Sequence, residues 1–178
     1  MADVIIIAFY FGIFIYSVII HEVSHGLAAL WLGDKTAQYA GRLTLNPTSH
    51  IDPLGSVILP GILFLTTGYA FGWAKPVPYN PYNLNDQKWG SLWVAFAGPG
   101  SNIVLALICT VIAAMLPMET VAKAEIIRYV SWHDWEALTH AITGSVSAVV
   151  YMLCIMGIIW NVLLAVFNLL SIPPWDGI

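Results

Sequence analysis

The sequence predicts an all-α polytopic membrane protein. About three core transmembrane helices are expected, with a re-entrant or short hydrophobic segment and a small extended or β segment. Three observations lead there. The 178 residues are 59% hydrophobic and only 9% charged, and the mean hydropathy of +0.79 lies beyond that of ordinary soluble domains. Three apolar runs are long enough to cross a hydrocarbon core of about 30 Å. Eight tryptophans and eight tyrosines suit the two membrane–water interfaces. A single membrane-embedded core over residues 1–178 is expected. The apolar composition makes the lipid bilayer the expected surrounding partner, and the net charge of −4 offers no basic surface to nucleic acid.

The first apolar run, residues 4–20, reads VIIIAFYFGIFIYSVII and continues through HEVSH into GLAALWLG. Gly33 is a plausible stop just past the helix end. A helix of about 30 residues is about 45 Å long, which exceeds the hydrocarbon core. The run lacks a basic leader and carries a polar motif, so it is not a signal peptide. Residues 34–53 form a polar connection containing GRLTLNPTSHIDP, with turn signals at Asn46-Pro47 and Asp52-Pro53. His50 within it reads as a loop or interfacial residue. Residues 54–71 are apolar but short for a span and are broken at Pro60-Gly61 and Gly68. In FGWAKPVPYNPYNLND, Pro76, Pro78 and Pro81 forbid a helix and favour an extended strap.

Residues 91–116 form a second crossing helix with AGPGSN near its start. Gly98 and Gly100 allow close helix approach there, and Pro99 permits a local kink. Residues 117–144, with Trp132, His133, Trp135 and His140, read as an amphipathic interfacial connection. Residues 146–170 are the last crossing and lead into SIPPWDGI. The chain stops directly after this membrane segment, and we expect that further residues follow in the full-length protein. Cys109 and Cys154 lie in apolar stretches and read as small buried hydrophobes.

HEVSH is the one stretch whose chemistry demands an explanation. His21 and His25, four residues apart, share a helix face about one turn apart. Two such imidazoles can share one Zn²⁺, and Glu22 is placed to act on a water beside it. From this composition a chance HExxH is expected at about 0.3%. Two packing histidines are the bland alternative, but titratable groups are costly in a membrane segment, at about 2.5–3.5 kcal/mol for each charge.

Two histidines need at least one more protein ligand. Asp176, held between Pro173-Pro174 and Gly177, is the strongest candidate. It can reach the histidines only if the first and last helices run parallel. Three crossings achieve that if residues 54–71 dip into the membrane without spanning it, and the Pro-Gly break favours this. The charges agree. Lys35, Arg42, Lys75 and Lys88 would be cytoplasmic, while Lys123 and Arg128 would lie outside among Glu119, Glu125, Asp134 and Glu136.

HEVSH in the first helix, AGPGSN in the middle one and FNLLSIPPWDG at the end of the last together resemble the site-2 protease family of intramembrane metalloproteases. GRLTLNPTSHIDPLG and FGWAKPVPYNP are similar to its compact members without a PDZ domain, and the resemblance covers nearly the whole chain. It implies His21, His25 and Asp176 as ligands of one zinc ion per chain, Glu22 as catalytic base, and Asn102 as a polar residue lining the substrate site. It also implies a single-pass transmembrane substrate already clipped by another protease, and a multi-pass protein of a prokaryotic plasma membrane with its active site toward the cytoplasm. Ser171 and Trp175 depart from the family's usual proline and leucine, which bears on local packing rather than on ligation. A helical substrate must unwind before a carbonyl can be attacked. The strap, with Gly72, Trp73, Ala74 and Lys75 at its start, is expected to hold the unwound peptide by β-addition; a plain surface loop is the alternative. Ser24, Asn102, Asn161 and Asn168 are candidates to line a wet cavity, or to tie helices together. A metal transporter or sensor and an inactive homologue remain as other readings of the same ligands. The sequence carries no signal of oligomeric state.

Overall fold

The computed structural model describes residues 2–59, 62, 65, 66 and 74–171. Among them are six α-helices and no β-strand: α1 (Ala2–Trp31), α2 (Thr36–Tyr39), α3 (Gly90–Met115), α4 (Thr120–Trp132), α5 (Trp135–Ile142) and α6 (Val146–Ser171). Three of them, over Val4–Trp31, Gly90–Met115 and Val146–Leu170, are long and apolar enough to cross a membrane. These are the three crossings expected, with ends shifted by only one or two residues. Most of residues 60–73, on which the choice between spanning and re-entry turns, lies outside the described residues.

α1 stops as its sequence indicates. Gly33 adopts φ +110°, its N–H bonds the Leu30 carbonyl at 3.1 Å, and the Asp34 N–H bonds the Ala29 carbonyl at 2.9 Å. This is a Schellman closure, and it needs a residue without a Cβ penalty at its turning point. The same closure ends α2. Gly41 at φ +63° bonds Gln38, and the Arg42 N–H returns to the Ala37 carbonyl at 3.0 Å. Short 3₁₀ turns at Pro47–His50 and Pro81–Asn83 each start on an asparagine whose side chain caps an N–H. A π-helical turn, Pro53–Ile58, is capped by Asp52 through the N–H groups of Leu54 and Gly55.

The chain forms two compact units, one of Met1–Ser17 with Pro99–Ile178 and one of Val18–Gly98. In the first, Ile126, Val130, Leu138, Met152 and Met156 are the centre of an apolar core, with Ile6 and Tyr10 of α1 packed into it. The single interfacial connection expected over 117–144 is two helices. His133 breaks them apart at φ 56°, and Asp134 caps α5 through the Ala137 N–H. A buried polar tie joins three helices of this unit. Asn102 of α3 donates to Asn161 Oδ1 at 2.7 Å, and Asn161 of α6 donates to Ser17 Oγ of α1 at 3.0 Å. In the second unit a small core of Ala29, Leu84 and Val94 sets the end of α1 against the start of α3.

Candidate metal centre

α1 presents His21 and His25 on one face, and their Nε2 atoms converge to 3.0 Å, with the ring planes crossed at 84°. His21 is only 4% exposed. The second nitrogen of His25 decides its tautomer. Nδ1 lies 2.7 Å from the Val94 carbonyl oxygen. A carbonyl only accepts, so Nδ1 carries the proton and, in the neutral ring, Nε2 presents a lone pair to His21. A lone pair facing a second imidazole nitrogen at this distance calls for a proton or a metal ion between them. Two nitrogens at about 2.0–2.1 Å from a tetrahedral Zn²⁺ lie about 3.3 Å apart. The residues therefore fit a shared zinc ion, and the carbonyl of Val94 is the outer partner that such a ligand takes.

α3 supplies that carbonyl and makes room for the imidazoles. Pro99 lies inside α3 and, having no N–H, cannot bond the Ala95 carbonyl one turn back. At Gly98 an added Cβ would stand 2.7 Å from His21 Nε2 and closer still to His25 Nε2. The close approach expected at Gly98 is therefore an approach to the two histidines themselves.

Glu22 sits beside them, half-buried. Its Oε2 accepts the Val77 N–H at 2.9 Å, so the strap after residue 73 touches the carboxylate through its backbone. Ala74 is half-buried and Lys75 exposed. Both backbone groups of Lys75 are engaged: its N–H with the His50 carbonyl at 2.9 Å, its carbonyl with Arg42 Nη2 at 2.6 Å. Gly72, Trp73 and Asp176 lie outside the described residues. Among the described residues no group of three His, Cys, Asp or Glu side chains lies together. Asn102 is fully buried in the tie to Ser17 and Asn161. Ser24 bonds back to Ile20 and Asn168 to Leu164, each within its own helix. His50 is a buried loop residue, its Nε2 on the Thr44 carbonyl at 2.8 Å.

Three participants escaped the sequence reading. The Val94 carbonyl is a backbone atom that no residue type announces. Arg42 was read only as a charge. Asp34 is a fully buried hub, accepting from the Asn80 N–H at 2.7 Å, the Asn83 amide at 2.9 Å and the Thr36 hydroxyl at 2.6 Å. Its signal was present: Gly-Asp-Lys-Thr after an apolar helix, with two asparagines among the prolines of the strap, is a set of turn-forming side chains in need of a common acceptor.

The family model for peptidase family M50 matches residues 8–178. Over 166 residues the chain is 35% identical to "Putative zinc metalloprotease YwhC" of Bacillus subtilis, covering 92% of this chain and 63% of that protein. Over 114 residues it is 32% identical to "Putative zinc metalloprotease Rip2" of Mycolicibacterium smegmatis, covering 60% of this chain and 43% of that protein. The chain thus spans less than two thirds of the length of these relatives. No solved structure matches it.

Proposed function

The chain belongs to peptidase family M50, the site-2 proteases, and from that premise we propose that it is the core of a zinc metalloendopeptidase cutting peptide bonds within or beside transmembrane segments. One observation carries the reading: two imidazole Nε2 atoms 3.0 Å apart on an apolar helix, one of them tautomerically set by the Val94 carbonyl. His21 and His25 would hold the ion, with Asp176 as third protein ligand. When bound, zinc supplies a Lewis acid that polarises a carbonyl and makes water more acidic.

The chain's own residues do the rest. Glu22 takes a proton from the attacking water and returns it to the leaving amine. The Val77 N–H occupies Oε2, which leaves Oε1 for that exchange. Zn²⁺, Asp176 and ionised Glu22 sum to zero charge, which makes a site in low dielectric tolerable. The strap would receive the unwound substrate by β-addition at Gly72, Trp73 and Ala74. Lys75 would contribute only its exposed side chain, because its N–H and carbonyl are taken. Asn102 would act from within its buried tie. The substrate class that suits this reading is a single-pass membrane protein, cut in the plasma membrane from its cytoplasmic side in regulated intramembrane proteolysis.

The test is Glu22→Gln in purified protein, with metal analysis and cleavage of a transmembrane peptide. Zinc is expected to stay bound while turnover disappears. Turnover at the wild-type rate in that variant would end the assignment.

A further inference from the structure

We propose that Arg42 is a positioning residue for the general base, acting through a single peptide plane of the strap. The inference rests on Glu22 being that base. Between Pro76 and Pro78 the backbone has one N–H, that of Val77, because proline has none. That one donor goes to Glu22 Oε2 at 2.9 Å. The other end of the same peptide unit is the Pro76 carbonyl, and it accepts from Arg42 Nη2 at 3.3 Å, while the Lys75 carbonyl accepts from the same nitrogen at 2.6 Å.

A peptide unit is planar and stiff, so a hand on its oxygen sets the direction of its N–H. A cation on the oxygen also polarises the unit and strengthens the bond its N–H makes. Arg42, Pro76–Val77 and Glu22 thus form one relay, with the guanidinium at one end and the carboxylate at the other.

The placement of Arg42 suits this role. It is only 8% exposed, brought inward as the residue after the left-handed Gly41. Among the described residues its charge meets carbonyls, not a carboxylate, and its Nε has no partner. Burial of a guanidinium on such terms is costly, and a plain loop anchor would not need a charge. The strap is held in register on both sides of Val77. His50 takes the Lys75 N–H, Asp34 takes Asn80 and Asn83, and the bare face of Gly26 receives the Val77 side chain, where an added Cβ would stand 2.8 Å from Val77 Cγ1.

The experiment measures kcat, KM and zinc content on a transmembrane peptide for Arg42→Gln, Arg42→Lys, and a protein in which Val77 is replaced by its α-hydroxy acid. That last change turns one N–H into an ester oxygen and leaves the side chain intact. Arg42→Gln and the ester are each expected to lower kcat about 10–100-fold, the scale of a misplaced catalytic group, with KM and zinc retained. Combined, they should cost no more than the worse of the two. Arg42→Lys should recover part of the loss. Multiplying effects, a loss confined to KM, or an ester variant with wild-type kcat would overturn the proposal, and the ester decides the matter alone if Arg42→Gln does not fold. Glu22→Gln separates the premise from the inference. If it still turns over, both fall; if it is inactive while the Arg42 and ester variants keep full kcat, only the inference falls.

Discussion

Glycine in a helix interior is destabilising by about 1 kcal/mol relative to alanine, so an alanine at position 98 should on propensity alone improve α3. The geometry reverses that expectation. A Cβ there would crowd Nε2 of both His21 and His25, and the bond of His25 to the Val94 carbonyl opposes the shift its ring would have to make. Gly98→Ala is expected to weaken zinc binding at least about tenfold, within the range seen when a ligand's outer support is disturbed, measured by competition with a chelator. Gly12→Ala is the matched control: nothing lies within 4 Å of its Cβ position, and it should be neutral or slightly stabilising. At this scale the shared helix face of His21 and His25 was legible, because residues at i and i+4 lie one turn apart and their Nε2 atoms do converge. Gly98 was legible only as a site of close approach, since spacing does not say what approaches. The Val94 carbonyl was invisible, because every residue has one.

At the scale of elements, the long helices announced themselves by their apolar runs and by Gly33, whose left-handed turn ends α1 as read. The strap did not, since its shape comes from side chains 30 to 50 residues away. Asp34 is the clearest case. Burial pushes its carboxyl upward, but the hydrogen bonds from Thr36, from Asn83 and from the N–H of Asn80 outweigh that and leave its pKa below the ordinary carboxylate value. A carboxylate whose folded pKa lies below its unfolded one, about 3.9, contributes its full stabilisation above that value. The contribution is lost as pH falls through the folded pKa. Asp34→Ala, which strands buried donors, is expected to cost about 2–4 kcal/mol and to flatten the loss of stability below about pH 4, both read from denaturant unfolding across pH. Equal acid sensitivity in wild type and variant would remove Asp34 from this role. The break between α4 and α5 was also missed, although Asp134 three residues before Ala137 is a helix-start signal.

For the whole molecule, the informative quantity is the number of crossings. Counted along the chain, three crossings return the end of the last helix to the side on which the first one ends, and Asp176 needs that if it is to join His21 and His25. Four crossings would send it to the opposite leaflet. The three apolar helices were legible from composition and run length, but a segment broken by Pro60-Gly61 is ambiguous by length alone. Charge then carries the argument. Lys35, Arg42, Lys75 and Lys88 precede the second crossing, whereas Lys123 and Arg128 between the second and third are outnumbered by four acids, so residues 32–89 are expected inside. In intact cells a membrane-impermeant maleimide should label Glu125→Cys and leave Lys88→Cys untouched until the membrane is opened. Cys109 and Cys154 lie within helices long and apolar enough to span, and the protein without added cysteines sets the background. Labelling of Lys88→Cys with protection of Glu125→Cys would invert this arrangement, and labelling of both from outside would mean that α3 does not cross. Asp176→Ala completes the test: with parallel ends it should lower the zinc content of the purified protein, whereas full zinc retention would separate that carboxylate from the two histidines.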